Sequence, residues 1–293
     1  MLKVVYSSPY IPRQWIAAYG MDPVLLHPVA APPGDDGERR EGMCSYARAW
    51  LRTALADDSA SAIVLAQVCD QMRRTFEIAS MHSRAPCFLF SVPATWRTST
   101  ARTFYREELQ RLGQFLIDVG GRAPSRAALA ERLAADRGER EFESKSESPG
   151  SIPFALIGPH TNADDAVWLE ILRRRGGCVL LDLRAPEAPM FDRRNLTDLP
   201  FAELADGCFD AIRDIFQRPN NRFYEKLAAA LRDSPVKGLI VRRYLWCDLW
   251  RAEVERLRQF SPIPVLDLEI GDHPGKDPHR LSGRIASFLE MAS

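Results

Sequence analysis

The sequence has no charge excess: 39 Lys and Arg balance 39 Asp and Glu over 293 residues. No global field then draws the chain toward nucleic acid or an anionic membrane, and any recognition of phosphate has to be local. It also has no stretch near the roughly 20 consecutive apolar residues that a membrane span needs. The apolar start Leu2–Tyr6 gives way to Ser7, Ser8 and Pro9, too soon for a secretory leader. A cytoplasmic protein with neither nucleic-acid nor membrane partners is the expectation. The five histidines, His27, His82, His160, His273 and His279, form no close metal pair. No two of the six cysteines have zinc-finger spacing, and their scatter argues against a disulfide framework. With no Gly-x-Gly-x-x-Gly and no phosphate-loop Lys, nucleotide hydrolysis by this chain is not expected.

What is present is an alternation. Hydrophobic residues make up 46% of the chain, enough for about two domains with buried cores. Short apolar runs at Leu2–Tyr6, Val24–Leu26, Ala62–Val68 and Phe88–Val92 read as buried strands. They are interleaved with helical periodicity at Tyr10–Tyr19, Cys44–Leu55, Asp70–Met81 and Ser99–Val119, and a further helix follows Ser125 to Ala135. After a polar, charged stretch the pattern restarts with strands at Phe154–Ile157, Cys178–Leu183, Val236–Val241 and Val265–Leu268. The helices expected among them are Asp164–Arg175, Phe201–Phe216, Phe223–Arg232, Cys247–Phe260 and Pro278–Met291. The expected fold is α/β, with two doubly wound parallel-sheet, flavodoxin- or Rossmann-like lobes and a ligand site in the cleft between them. Residues 1–136 form the N-terminal lobe with a helical extension, 137–151 a linker, and 152–293 the C-terminal lobe.

In open parallel sheets ligands bind beyond the carboxyl ends of the strands, where helix N-termini point. That rule sorts the cysteines. Cys69 and Cys247 each follow a strand and open a helix, and Cys44 opens a helix after a loop rich in Pro, Gly and charge. Cys87 and Cys178 begin strands at the opposite edge, and Cys208 lies inside a helix, so these three are expected in the core. Cys69-Asp70-Gln71-Met72-Arg73 and Cys247-Asp248-Leu249-Trp250-Arg251 form a faint internal repeat. Three thiolates at helix N-termini suit an anionic metal–sulfur cluster; a zinc site assembled through space stays open. Ser7, Ser8 and His160 also fall at the ligand edge, with turn and capping roles the simpler reading. Arg73 and Arg74 lie near Cys69, suited to an anion or to ordinary helix-surface pairing. Arg173-Arg174-Arg175 reads as a solvated helix end.

Several segments, in order, resemble the 2-hydroxyacyl-CoA dehydratase and benzoyl-CoA reductase family of iron–sulfur subunits, in their D-component-like form. They are Pro9–Val24, Cys44-Ser45-Tyr46-Ala47-Arg48, Val68-Cys69-Asp70, Lys237-Gly238-Leu239-Ile240 with Trp246-Cys247-Asp248, and Arg284–Glu290. The resemblance implies a 4Fe-4S cluster held by Cys44, Cys69 and Cys247. It implies a lyase or oxidoreductase subunit doing one-electron, radical chemistry on an acyl-CoA or other thioester, without indicating which residues are catalytic. It further implies a dimer, with a related subunit or a second copy, served by an ATP-dependent iron–sulfur activator. The chain departs from the family in Gln14, where Glu is common, and in His279-Arg280-Leu281-Ser282 in place of a Gly-Gln pair. Two other readings use the same residues: a zinc-dependent hydrolase, and a non-catalytic electron-transfer or scaffold subunit.

Overall fold

The computed structural model describes residues 1–28, 42–135, 150–160, 165–184, 189, 191, 198–271 and 278–292. The expected linker, apart from residues 150 and 151, lies outside them, as do His273 and most of the loop before Cys44. The elements follow the order β1 Lys3–Tyr6, α1 Arg13–Ala18, β2 Asp22–Leu25, α2 Ser45–Leu55, β3 Ala60–Gln67, α3 Asp70–His82, β4 Cys87–Ser91, α4 Ser99–Asp118 and α5 Arg126–Ala135. Then come β5 Ile152–Ile157, α6 Asp165–Arg174, β6 Gly177–Asp182, α7 Pro200–Ala211, α8 Asn221–Arg232, β7 Gly238–Tyr244, α9 Asp248–Phe260, β8 Val265–Ile270 and α10 Pro278–Ala292.

Strands β1–β4 form one sheet in the order β2-β1-β3-β4 and strands β5–β8 another in the order β6-β5-β7-β8. All pairings are parallel, so the two sheets repeat one topology. The doubly wound α/β class expected from the alternation is the fold observed. Parallel strands covered on both faces need unbroken apolar runs. In β3, Ala62 to Ala66 are all at most 1% exposed. The second sheet has a core of Phe154, Leu156, Ile240 and Leu268 against Trp168 and Leu172 of α6 and Ile285 and Phe288 of α10.

The chain divides into two compact units: Met1–Leu26, Trp50–Arg140 and Pro186–Arg222 form the first, and His27–Ala49, Glu141–Ala185 and Phe223–Ser293 the second. This differs from a contiguous cut at 137–151, because the segments following β2 and β6 are exchanged. The physical reason for one exchange is α7, which packs on α4 and α5. Arg102 binds Asp206 and Asp210 there, and Arg106 binds Asp206. For the other, Tyr46 of α2 lies against Tyr244 of β7, with ring centroids 5.3 Å apart.

Candidate functional site

In each sheet the strand order reverses direction at one place, between β1 and β3 in the first and between β5 and β7 in the second. The crevice outside the carboxyl ends of such strands is where ligands bind in open α/β sheets. Cys69 follows β3 and is the N-cap residue of α3; Cys247 follows β7 and is the N-cap residue of α9. The internal repeat read from the sequence therefore occupies equivalent positions in the two sheets.

At the edge of the first sheet, Cys69 has extended backbone (φ −159°, ψ 167°) and makes no side-chain cap hydrogen bond. Burial pushes its thiol pKa up. The N–H dipoles of Met72 and Gln71 oppose that shift, and the negative charges of Asp70 and Asp214 add to it. Asp214 comes from the segment after α7 and accepts a 2.5 Å hydrogen bond from the buried Tyr10 hydroxyl. Tyr105 in turn donates to the Tyr10 carbonyl at 3.0 Å. Burial and the Asp214 carboxylate keep Tyr10 protonated, well above the usual phenol range. Ser7 and Ser8 are both 2% exposed. Ser7 Oγ accepts from the Ala66 N–H at 2.9 Å, and Ser8 Oγ from the Tyr10 N–H at 3.3 Å. Both hydroxyls thus shape the strand end.

At the edge of the second sheet, Cys44 directly precedes α2, and the Ala47 N–H donates to its sulfur at 3.4 Å. This is the bond that a Ser or Thr N-cap ordinarily accepts. Trp246, before Cys247, has φ of 68° and is 63% exposed. Such a left-handed backbone is strained for a bulky residue and clusters at functional sites. The same unit holds a buried charge cluster. Asp165, at the start of α6, accepts from Arg242 Nε at 2.7 Å, Arg184 Nη1 at 3.0 Å and Trp168 Nε1 at 2.8 Å. Arg184 also grips Asp182, through Nε at 2.9 Å and Nη2 at 2.5 Å. The Arg242 guanidinium lies 3.7 Å from the centre of the Tyr244 ring. The Tyr244 hydroxyl donates to the His160 carbonyl at 2.9 Å. Gly158, with φ of 146°, lets the end of β5 approach this strand: a Cβ there would come within 2.0 Å of the Arg242 carbonyl oxygen.

All six cysteines are free thiols. Of the three expected in the core, Cys208 is buried in α7, whereas Cys87, the first residue of β4, and Cys178, the second of β6, are only half-buried because they sit at the sheet's entry edge. Cys44 and Cys247 belong to the second unit and Cys69 to the first. Among the described residues, no group of three or more His, Cys, Asp or Glu is arranged to hold a metal ion. Arg73 and Arg74 both pair with Glu77 on the exposed face of α3, the ordinary helix-surface arrangement. Arg173 and Arg174 pair with Glu170 in the same way.

The residues missed by the sequence reading are Asp165, Asp182, Arg184, Arg242 and Asp214. Arg242 had a legible signal. It and Arg243 interrupt the apolar run Gly238-Leu239-Ile240-Val241 of a buried strand, and a buried charge has to be paired. Asp214 carried none, because it is brought to Tyr10 by tertiary packing alone.

A family model described as 2-hydroxyglutaryl-CoA dehydratase, D-component, matches residues 9–145. Cys44 and Cys69 lie inside the match and Cys247 outside it. No curated protein matches the chain. Among solved structures, the crystal structure of the SsGBP and GDP complex is similar at 13% identity and a TM-score of 0.25, with 100% of both chains covered. A mutation variant of SsGBP gives 12% and 0.26, with 100% of this chain and 98% of that one covered. At those scores neither likeness bears on function. Among the described residues no helix is long and apolar enough to cross a membrane.

Proposed function

We propose that this chain is a member of the 2-hydroxyacyl-CoA dehydratase family, a reading supported by the match of residues 9–145 to the 2-hydroxyglutaryl-CoA dehydratase D-component model. It is a dehydratase-like enzyme subunit. The finer reading proposed here is that Cys44, Cys69 and Cys247 hold a 4Fe-4S cluster used in removing water from, or reducing, an acyl thioester. The observation that carries it is the placement of these three thiols, alone of the six, at helix N-termini, with Cys69 and Cys247 at equivalent positions of the two sheets.

The donor types suit such a group, although among the described residues the three thiols are not gathered into a preformed metal site. Thiolates are the protein ligands of iron–sulfur clusters, and the positive end of a helix stabilises an anionic cluster. When bound, the cluster would supply one electron at a time. The chain's own residues do the rest. The first unit would contribute Cys69, whose thiol burial holds above its usual pKa and which would have to lose its proton to become a ligand. The second contributes Cys44 and Cys247.

A component of a multi-part dehydratase needs its partners. The partners proposed are a related subunit or a second copy, and an ATP-dependent electron donor, all in the cytoplasm. Anaerobic purification followed by iron, sulfide and zinc analysis tests the reading. About four irons and four sulfides per chain are expected. Stoichiometric zinc without sulfide would replace it with a zinc hydrolase using the same thiolates.

A further inference from the structure

Two of the three thiols belong to one unit yet lie about 200 positions apart in sequence, on elements whose backbones are not paired with each other. Something has to fix the start of α2 against the loop between β7 and α9. The residues in that place form a continuous stack. Asp165 holds the Arg242 guanidinium through a 2.7 Å bond. Arg242 lies face-on to Tyr244 at 3.7 Å, and the Tyr46 ring lies against Tyr244 at 5.3 Å and 42°. Tyr46 is two residues after Cys44, and Tyr244 three before Cys247.

Local hydrogen bonds carry the position of each ring to its thiol. The Cys247 N–H donates to the Tyr244 carbonyl at 3.1 Å, and the Arg251 N–H to the Cys247 carbonyl at 3.0 Å. On the other side the Ala47 N–H reaches the Cys44 sulfur, and the Arg48 N–H donates to the Cys44 carbonyl at 3.1 Å. The Tyr244 hydroxyl, anchored on the His160 carbonyl, stops the middle ring from rotating. All of these residues are in the second unit, and Tyr244 is 2% exposed.

We propose that Tyr46 and Tyr244, clamped by Arg242 on Asp165, are positioning residues that set the spacing of the Cys44 and Cys247 thiols before any ligand arrives. Neither tyrosine touches the reacting atoms. The purpose assigned to the stack rests on the ligand reading above, but its geometry does not. A metal site with thiols already held in place loses less conformational freedom on loading.

The test uses the reduced, metal-free full-length protein and dibromobimane, which joins two nearby thiols. Mass spectrometry of the digest identifies the bridged peptides, so no other cysteine has to be removed. Bridging of Cys44 to Cys247 is expected in the wild type and in Tyr46→Phe, which keeps the ring. Tyr46→Leu should slow it roughly two- to tenfold, the population change that loss of one aromatic pair produces. Circular dichroism and the thermal midpoint check that the variant is folded. No bridge in the wild type, or an unchanged rate in folded Tyr46→Leu, overturns the proposal. Iron and sulfide uptake is measured on the same samples. Bridging that follows the ring in a protein that takes up no iron keeps the stack and removes the ligand reading.

Discussion

Replacing Asp165 by Asn isolates the charge cluster behind the second sheet's edge. Two guanidinium groups, on Arg242 and Arg184, there face two carboxylates, on Asp165 and Asp182. Arg242 is 0% exposed and Asp165 3%. Asn is close in shape and can still accept from Trp168, but it leaves one buried positive charge uncompensated. Breaking a buried pair from one side costs about 3–5 kcal/mol. Removing both charges together is often nearly neutral. The double variant Asp165→Asn with Arg242→Met should therefore be more stable than Asp165→Asn alone, by roughly 1–3 kcal/mol. Urea denaturation followed by near-UV circular dichroism reads both numbers, provided the slope of the transition is unchanged. A single variant within about 1 kcal/mol of the wild type would refute the reasoning. So would a double variant no more stable than the single one.

Two further outcomes follow from the first sheet's edge. Tyr10→Phe keeps the ring beside Phe216 but removes the hydrogen bond to Asp214. A loss of about 1.5–3 kcal/mol is expected in urea denaturation, and an unchanged midpoint would mean the bond contributes nothing. For Cys69, burial holds the folded thiol above its unfolded pKa. The stability that goes with the neutral thiol is intact below the unfolded pKa and is lost as pH rises toward the folded one. Alkylation of Cys69 should accordingly need a higher pH in the native protein than in urea. Superimposable profiles would show that burial does not govern this thiol.

Much of the fold was legible because buried parallel strands and amphipathic helices write different periods. Every expected strand and helix is present, and the differences lie at their ends. Helix α1 was expected from Tyr10 but begins at Arg13, since Pro12 is its N-cap residue and proline suits only the first positions of a helix. Helix α7 was expected to reach Phe216 but stops at Ala211, where Ile212 turns extended and Asp214 meets Tyr10. That ending depends on a partner about 200 residues away, which local pattern does not record. The same holds for the exchange of segments between the units. The edge positions of Cys69 and Cys247 were legible because a strand end followed by a helix start is a local signal, and that of Cys44 because it opens a helix. The contact of Tyr46 with Tyr244 was not, because the two rings are about 200 residues apart in sequence and each reads alone as an ordinary core residue.

The ligand set is tested most directly by changing each cysteine to serine in turn and reconstituting every variant anaerobically with iron and sulfide. Cys44→Ser, Cys69→Ser and Cys247→Ser should each lose the broad visible absorption and fall well below about four irons per chain. Cys87→Ser, Cys178→Ser and Cys208→Ser should keep both. A full cluster in any of the first three, or its loss from a folded member of the last three, would contradict the assignment.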